Sequence, residues 1–451
     1  MSRRSSRTSA RQSAPGTATA PEPVRRSLRQ RIVWWPVVVT ALVIIAAAFA
    51  TSPLRDAATL AQVDEARLDL SPAYLLVAPI SAALDTITLL TVGQHIALLL
   101  WVIALFVVWR VWRGSRVAER VSLGMRLRRE SIAALSLLAG IVIVYAAAAA
   151  LSRPMAQLEA TDDTVLSVDF HSHTRYSHDG RPGWTEEDVR DWHRGAGYDV
   201  GYITDHATYE GAERGIAANP AQAGEGTVLL QGLEAVYRGE HVNVLSAGRL
   251  YRGLTTPNLK DIDEQALALA SFIVPTSPVV IQTIPGNLAH ITASTAPGQP
   301  GVRAIEIVDG SPRGLSQGRR ERARIVHLAD SLDLALVTGS DNHGWGRAAP
   351  GWTLLRMPGW RGMTTDSLSH QLEHALRIGR RRSTRTVERR VADGDTPLSI
   401  AFTAPVVAWR MLTTLSPDER VMWIVWAWGI VLLGGAWRRF RERPSGDATA
   451  A

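Results

Sequence analysis

The chain alternates long, uncharged apolar blocks with a central region of short apolar runs. Crossing the hydrocarbon core of a membrane takes about 20 apolar residues in a helix. Blocks near that length lie at 32–50, 90–109, 132–151 and 421–437, and the last of them is rich in tryptophan, as is typical of a membrane interface. The pattern therefore predicts a membrane region over 32–152. It also predicts a C-terminal amphipathic segment and a last span within 396–438.

A fifth apolar stretch, 74–89, carries Pro79 and Asp85. If it also crossed the membrane, the arginine-rich segment 110–129 would lie on the opposite side from the arginine-rich N-terminus. Positively charged loops collect on the cytoplasmic side of membranes, which disfavours that arrangement. We therefore interpret 74–89 as an interfacial or re-entrant segment, and a fifth span is the alternative.

The distribution of charge predicts one orientation. The net charge is +7, but residues 1–31 hold eight arginines against one acid, and 110–129 hold seven against one. A nucleic-acid-binding protein would carry positive charge around its functional face, so no nucleic acid partner is expected. We predict a disordered basic tail at 1–31 and a second tail at 439–451, both cytoplasmic. The loop 51–73 and the region from about 152 to 420 would lie outside the cytoplasmic membrane.

The region 160–395 alternates short apolar runs with amphipathic stretches. Helices are predicted over 185–195, with Thr185 as the N-cap and Asp188 three residues later, and over 315–330. Seven strands are predicted, at 165–170, 200–204, 228–233, 242–245, 279–284, 304–308 and 334–338. Strand–helix alternation of this kind is typical of a mostly parallel α/β sheet, open or closed as a barrel.

Side chains that bind divalent metals follow several of these runs. His171 and His173 end the first run, and because strand side chains alternate, both imidazoles point to one side. Asp341 and His343 repeat this spacing after the last run. The candidate metal ligands are His171, His173, Asp179, His206, Glu234, His241, Asp341 and His343. Imidazole with carboxylate suits zinc, manganese or iron, and the lack of cysteine excludes thiolate ligands. The pattern predicts a multinuclear metallohydrolase site.

Some of these residues allow other roles. Of the neighbours Asp205 and His206, we favour His206 as a ligand and Asp205 as the partner that orients an imidazole. Asp179 could instead form a turn, and His241 could cap a strand. Arg347, shortly after the last ligand, could bind an anionic substrate or be an ordinary surface charge.

Other polar residues have simpler interpretations. Glu306, at the end of an apolar run, is predicted to be structural, and His178 is predicted to face solvent. His290 has no role that the pattern decides. Surface positions on helices are predicted for four further histidines: His193, His327, His370 and His374.

Five short runs occur in a fixed order: HSHTRYSHDG, ITDH, GLE with the histidine after it, IEIVDG and GSDNH. Together they resemble the PHP superfamily, named for polymerase and histidinol phosphatase domains, over roughly 160–395. The resemblance implies a distorted (βα)7 TIM-like barrel with two or three divalent metals at the C-terminal ends of its strands. It implies one metal site from His171, His173, Glu234 and Asp341, a second from Asp179, His206 and His343, and a third from Glu234 with His241.

The sequence departs from this family at the end of the fifth predicted strand. The family has a histidine followed by proline there, and this chain has Ile284. Isoleucine cannot coordinate a metal, so two metals are expected, with a weakly held third unless His290 reaches the site. The SHDG and EHVNVLS runs resemble most the branch that includes carbamate-ester hydrolases and predicted phosphoesterases.

These observations predict a membrane-anchored, metal-dependent phosphoesterase that acts on an anionic small-molecule or lipid-linked phosphoester. A metal-activated hydroxide would attack the ester, with His206, Asp205, His343 and Arg347 as the catalytic candidates. The same ligands would serve the hydrolysis of carbamate, amide or carboxylic ester bonds, which is the alternative. A non-catalytic metal-binding or sensing membrane module is the second alternative. A transporter is disfavoured because the apolar blocks hold few charges.

Overall fold

The computed structural model describes residues 34–115, 122–237, 240–245, 278–284, 288, 302–389 and 396–441. The α-helices of the described residues are α1 Trp35–Ala47, α2 Pro72–Leu76, α3 Ala78–Thr88, α4 Val92–Ser115, α5 Leu123–Ala150, α6 Glu186–Ala196, α7 Glu210–Ala217, α8 Pro312–Leu315, α9 Arg319–Leu332, α10 Thr365–His374, α11 Pro397–Ala401, α12 Thr403–Thr414 and α13 Pro417–Arg441. The strands are β1 Arg55–Asp56, β2 Ala66–Leu70, β3 Ala156–Ala160, β4 Val165–Ser172, β5 Val200–Ile203, β6 Val228–Tyr237, β7 Glu240–Leu245, β8 Val279–Gln282, β9 Ala304–Asp309, β10 Ala335–Gly339, β11 Gly351–Arg356 and β12 Arg385–Glu388.

Three of these helices are long and apolar enough to cross a membrane. They are α4, α5 and the Pro417–Trp437 part of α13, with mean hydropathies of 2.1, 2.4 and 1.4. The first apolar block of the sequence forms the shorter helix α1. Its 13 residues extend about 20 Å, which is less than the roughly 30 Å of the hydrocarbon core.

The ambiguous stretch 74–89 forms the two short helices α2 and α3. Pro79 lies in the first turn of α3, where its missing N–H leaves no hydrogen bond unmade. The 11 residues of α3 extend about 16 Å, which is about half of the hydrocarbon core. Asp85 is buried in α3, and its carboxylate pairs with Arg153 and Arg389. These pairs explain an acid in an otherwise apolar stretch.

Ten strands form one sheet in the order β1-β12-β11-β4-β5-β6-β7-β8-β9-β10. The seven predicted strands are all present, as β4 to β10. The pairs β4/β5, β5/β6, β8/β9 and β9/β10 are parallel, whereas β6/β7 and β7/β8 are antiparallel. The expected mostly parallel sheet is therefore corrected to a mixed one. Only the two residues 238–239 separate β6 from β7, and so short a connection can join only antiparallel strands.

The sheet curls until the end of β10 meets the end of β4. The main-chain N–H of Asp341 donates to the carbonyl of His171 at 2.9 Å, and the N–H of His173 donates to the carbonyl of Asn342 at 3.1 Å. The segments that follow β4 and β10 therefore lie side by side at one end of the sheet. This is the end at which the parallel strands finish, where α/β folds build their sites.

Residues between α1 and α2 also join the α/β part of the molecule. β1 pairs antiparallel with β12 at one edge of the sheet, and β2 pairs antiparallel with β3. Leu54 and Val63 are buried in the same cluster as Trp192 and Trp352. We expected only an external loop over 51–73, because strands of two to five residues show too little alternation to be recognised.

One buried cluster takes side chains from all seven strands β4 to β10 and fills the inside of the curl. Phe170 stacks on Tyr202 in this cluster, with ring centroids 5.3 Å apart. Amphipathic helices cover the outside, and α6 begins with the predicted capping box of Thr185 and Asp188. The predicted α/β architecture is thus confirmed.

Candidate metal centre

The strand β4 ends with two buried imidazoles, those of His171 and His173. Gly339, at the end of β10, makes room for the first of them. A Cβ atom added at Gly339 would lie 2.7 Å from Cβ of His171 and 2.6 Å from Oε1 of Glu306. A glycine is therefore required where β10 passes His171, and this close approach lets β10 and β4 bring their ligands together.

Four donor atoms form a tight group that we call site 1: His171, His173, Glu234 and Asp341. Nε2 of His171 lies 3.0 Å from Nε2 of His173, 3.0 Å from Oε2 of Glu234 and 3.3 Å from Oδ1 of Asp341. Nε2 of His173 lies 3.2 Å from each of the same two oxygens. Four ligands about 2.0 Å from one tetrahedral ion lie about 3.3 Å from one another. The spacing of site 1 fits a single four-coordinate ion.

A second group, site 2, combines His173, Asp179, His206 and His343. Oδ2 of Asp179 lies 3.2 Å from Nε2 of His343 and 3.5 Å from Nε2 of His206. Nδ1 of His173 is buried without a hydrogen-bond partner among the described residues. Buried polar atoms are almost always satisfied, so an orphaned imidazole nitrogen in a ligand cluster fits a bound metal.

Glu234 lies at the centre of the cluster. Its Oε2 is 3.0 Å from Nε2 of His171 and 3.2 Å from Nε2 of both His173 and His206. Its Oε1 lies 2.6 Å from Nδ1 of His241. A third possible ligand group, site 3, consists of Glu234 with His206 and His241. A single carboxylate therefore contacts ligands of all three sites.

The carboxylates shift the pKa values of the site 1 imidazoles. Burial lowers the pKa of His171, but Glu306, Glu234 and Asp341 together raise it well above its usual value. Burial also lowers the pKa of His173, but hydrogen bonds with Asp341 and Glu234 raise it to about 10. For Glu234, burial alone would raise the pKa, but the charge of His171 and the surrounding imidazoles hold it well below the usual range.

Glu306 and Asn243 lie behind site 1. Oε1 of Glu306 is 3.1 Å from Nδ1 of His171, and Nδ2 of Asn243 donates to the same oxygen at 3.1 Å. Nδ1 of His171 is thus directed to Glu306 while Nε2 points into site 1, the arrangement that orients a metal-binding imidazole. Glu306, which the sequence predicts to be structural, thus positions the imidazole of His171 through this contact. Asp309 joins His171 and Glu306 in a further buried group of possible ligands.

Two residues other than glycine have a positive φ at the site. Asp341 has a φ of +46°, and Ala207, directly after His206, has a φ of +55°. Residues other than glycine seldom adopt this left-handed region, because Cβ meets the backbone there. Such conformations cluster at functional sites, where the surrounding contacts stabilise them.

Two of the predicted catalytic residues make other contacts in the structure. Asp205 is buried, and its carboxylate accepts from the N–H and the hydroxyl of Thr174, at 2.6 Å each, which fixes the turn that follows His173. Among the described residues it makes no hydrogen bond to an imidazole. Arg347 donates to the hydroxyl of Ser152 at 3.0 Å.

The surface position predicted for His193 is wrong. The side chain is fully buried, with Nε2 2.8 Å from Oδ2 of Asp169 and Nδ1 2.8 Å from the carbonyl of Val189. Oδ1 of the same Asp169 accepts from the N–H groups of His171 and Ser340. Hydropathy treats histidine as a surface residue, but this imidazole satisfies a buried carboxylate that holds both segments of the site.

Four further histidines are exposed, whereas Ile284 is buried. His178 is exposed, and so are His327, His370 and His374. Ile284 is buried, 3% exposed, and His290 lies outside the described residues. The ligand group of site 3 thus contains no residue from the end of β8.

The sequence reasoning missed Asp169, Asn243 and Asp309 as parts of the site. Asp169 carries a usable signal, since a carboxylate inside the apolar run VLSVDF must be paired if it is buried. Asp309 follows the strand β9 as the recognised ligands follow theirs. Asn243 has no such signal, because an amide within a strand is common.

No family model matches the sequence, and no curated protein matches it. A two-domain protein from Bacteroides vulgatus ATCC 8482, containing a predicted PHP-like metal-dependent phosphoesterase, is 17% identical with a TM-score of 0.32. That match covers 50% of this chain and 65% of that protein. PsfC from Pseudomonas syringae PB-5123 is 18% identical over 54% of this chain and 98% of its own, with a TM-score of 0.32. An amidohydrolase from Chromobacterium violaceum, with bound sulfate and no metal, is 17% identical over 44% of this chain and 90% of its own, with a TM-score of 0.28.

Proposed function

We propose that this chain is a membrane-anchored, metal-dependent phosphoester hydrolase built on a PHP-type (βα)7 barrel. The observation that carries the proposal is site 1, where the two imidazole nitrogens lie 3.0 Å from each other and 3.0–3.3 Å from both carboxylate oxygens. Glu234 joins this group to two others, so that one buried carboxylate contacts four imidazoles. Packing alone does not require such an arrangement, whereas a multinuclear metal site does.

Divalent ions held by sites 1 and 2 would polarise a phosphoryl oxygen and bring the pKa of a water towards neutrality. The side chains of the two sites differ in exposure. His171 and His173 of site 1 are 2% and 0% exposed, whereas Asp179, His206 and His343 of site 2 are 40%, 15% and 20% exposed. Site 1 therefore lies deep, and site 2 faces the opening through which a substrate arrives.

The arrangement of the apolar helices supports a membrane anchor with a defined orientation. The end of α5 meets the α/β part, where the N–H of Gly346 donates to the carbonyl of Ala149. At the opposite end of this helix pair, Arg110 of α4 pairs with Glu130 of α5, and Arg113 and Arg126 lie nearby in sequence. Arginines collect on the cytoplasmic side, so the α/β part with its metal sites would lie outside.

The test is hydrolysis of p-nitrophenyl phosphate and bis(p-nitrophenyl) phosphate by the full chain in detergent, loaded with Mn²⁺ or Zn²⁺. We expect turnover that a chelator abolishes and added metal restores. His171→Ala removes a donor of site 1, so it should lower kcat by about 100-fold or more and reduce bound metal. His327→Ala, an exposed change on α9, is the matched control and should do neither.

Folded, metal-loaded protein that turns over no phosphoester with either ion would contradict the proposal. Turnover of carbamates, amides or carboxylic esters instead would assign the alternative reaction to the same site. If His171→Ala and His327→Ala behaved alike, the clustered histidines would not be the reacting centre.

A further inference from the structure

A cavity of about 680 Å³ lies between the metal centre and the apolar helices. Asp179, Asp341 and His343 line one of its walls. The opposite wall is formed by the end of α3 with Leu89, by α4 with His95, and by α5. The candidate metal centre therefore opens onto helices that are apolar enough to cross a membrane.

Hydrogen bonds hold the two walls together. The loop that carries Asp341 and His343 continues to Gly346, whose N–H donates to the carbonyl of Ala149 in α5 at 2.8 Å. The carbonyl of Gly346 accepts from Nε1 of Trp192 at 3.3 Å. The metal-binding loop is thus fixed to the end of α5, and the cavity between them is a built part of the fold.

The lining of this cavity is nearly uncharged. Asp179 and Asp341 are the formally charged side chains among its described lining residues, and both belong to the metal sites. No arginine or lysine is among the described residues that line it, although Arg181 lies over the ring of Trp345. The part of a substrate that extends past the metals would therefore contact no cationic side chain of the lining. A polyanion such as a nucleic acid would lack the counter-charges that its phosphates need.

The wall away from the metals is apolar with one polar pair. Ile87, Leu89 and Ala149 supply apolar surface, and Nδ1 of His95 lies 2.9 Å from the hydroxyl of Tyr145. Such a wall fits a hydrocarbon chain with a polar group near its head. Trp345, two residues after His343, also lines the cavity and is 54% exposed. An exposed tryptophan beside apolar helices is typical of a membrane–water interface.

We propose that the substrate of this metal centre is an amphiphile that carries a phosphoester on an alkyl chain. Its phosphoryl group would lie at site 2, and its chain would lie against the ends of α3, α4 and α5. This inference rests on the proposed hydrolase function and adds the substrate class. The recognised chemistry is a phosphoryl group on a hydrocarbon chain. A lipid phosphoester has both parts, whereas a free phosphate or a polar sugar phosphate lacks the hydrocarbon chain.

The first experiment compares p-nitrophenyl alkyl phosphodiesters with alkyl groups from methyl to octyl, using the metal-loaded full chain at one detergent concentration. Burying one methylene contributes about 0.8 kcal/mol, which is about fourfold in kcat/KM for each methylene that enters the cavity. We expect kcat/KM to rise at least about tenfold from methyl to hexyl. A flat series would overturn the inference while leaving the hydrolase function in place.

Two variants test whether the cavity causes this rise. Ala149→Phe fills the helix wall and should lower the hexyl-to-methyl ratio of kcat/KM severalfold. Ala146→Phe is the matched control, because Ala146 is an exposed residue of the same helix that does not line the cavity, and the ratio should not change. Leu89→Ala enlarges the cavity and should move the best substrate to a longer chain, which keeps the test valid if Ala149→Phe does not fold.

A binding measurement separates this inference from the proposed function. A dodecyl phosphate with a photoreactive diazirine at its chain end is cross-linked to metal-free full chain in detergent, and the labelled peptides are mapped. We expect labelling of the α3 and α5 peptides that dodecyl phosphate displaces and inorganic phosphate does not. If phosphoesters were not turned over but this displacement was seen, the cavity would still bind an amphiphile. Labelling that dodecyl phosphate did not displace would overturn the inference.

Discussion

Glu234 is the residue that links the three groups of possible metal ligands. Its side chain is 5% exposed and contacts the imidazoles of His171, His173, His206 and His241. A buried carboxylate without partners would be costly, and four imidazoles or the metals they hold offset that cost. The position of Glu234 in the middle of β6 therefore determines where the three ligand groups meet.

Metal binding should release protons at neutral pH. In the metal-free chain the carboxylates around site 1 raise the pKa of both His171 and His173 above the usual value, so the pair holds protons more tightly than free imidazoles do. A metal requires neutral imidazoles, so Zn²⁺ binding should release protons. Calorimetric titration in two buffers of different ionisation enthalpy measures the number released, and a value of zero would contradict the assignment.

The same pKa values predict how pH changes the stability of the metal-free chain. Folding raises the pKa of His173 from an unfolded value of about 6.5 to about 10. This pairing therefore stabilises the fold fully below pH 6.5, and the contribution is lost as pH rises through about 10. Thermal unfolding after chelation should show a Tm that falls over this range, and excess Zn²⁺ should reverse the trend by favouring neutral imidazoles.

Ile284 should limit the number of tightly held metals. Site 1 has four donors, and site 2 adds three of its own, Asp179, His206 and His343, to the shared His173. Site 3 adds only His241, because it shares Glu234 and His206 with the other groups. We expect about two tightly held ions per chain, with a third lost on dialysis. Ile284→His should raise the stoichiometry measured by elemental analysis. Three tightly held ions in the unsubstituted chain would contradict this expectation. His290 would then be the first further ligand to test.

The buried side chain of His193 should stabilise the fold. His193→Ala leaves the carboxylate of Asp169 buried without its side-chain hydrogen-bond partner, so the free energy of unfolding should fall by about 1–3 kcal/mol. The ring also packs on Gly201, where an added Cβ would lie 2.7 Å from it. Chemical denaturation measures the loss, and the exposed substitution His370→Ala is the control. Equal stability of the two variants would show that Asp169 finds another partner.

At the scale of elements, α3 links the apolar helices to the sheet through a buried ionic cluster. Oδ1 of Asp85 accepts from Nη2 of Arg153, between α5 and β3, at 2.9 Å. Oδ2 accepts from Nη1 of Arg389, directly after β12, at 2.9 Å, and from the hydroxyl of Tyr74 at 3.1 Å. The ends of two distant elements are thus held against one carboxylate.

Removal of this carboxylate should weaken the junction. Asp85→Ala leaves the guanidinium groups of Arg153 and Arg389 without their buried counter-charge, so we expect a loss of about 3–5 kcal/mol in the free energy of unfolding. Glu159→Ala breaks the exposed pair with Arg67 and should have no measurable effect, because solvent already screens that pair. Thermal unfolding in detergent compares the two, and similar shifts would refute a special role for Asp85.

At the scale of the whole molecule, the charge distribution predicts the orientation in a membrane. Residues 1–31 hold eight arginines against one acid, residues 110–129 hold seven against one, and the α/β part is tied to the opposite end of α5. A reporter enzyme that is active only outside the cytoplasm should be active when fused after Arg153 and silent when fused within 114–120. The reverse pattern would place the metal centre in the cytoplasm.

Local signals in the sequence were enough to predict the strands β4 to β10, the helix α6 and the candidate metal ligands. Each of the strands β4 to β10 follows from a short run of apolar, β-branched residues, and helix α6 follows from Thr185 and Asp188, because these signals are local. Most of the candidate ligands were also found locally, as polar residues at or shortly after the ends of apolar runs. Side-chain alternation and hydropathy need only neighbouring residues, so a single sequence is enough to apply them.

The way these elements pack together could not be predicted from the sequence. The antiparallel course of β7, the addition of β1 and β2, the burial of His193 and the contacts of Asp205 and Arg347 depend on residues far apart in the chain. The cavity between the metal centre and α5 depends on a hydrogen bond from residue 346 to residue 149. No local pattern encodes such contacts, because their free energy arises only when the fold brings both partners together.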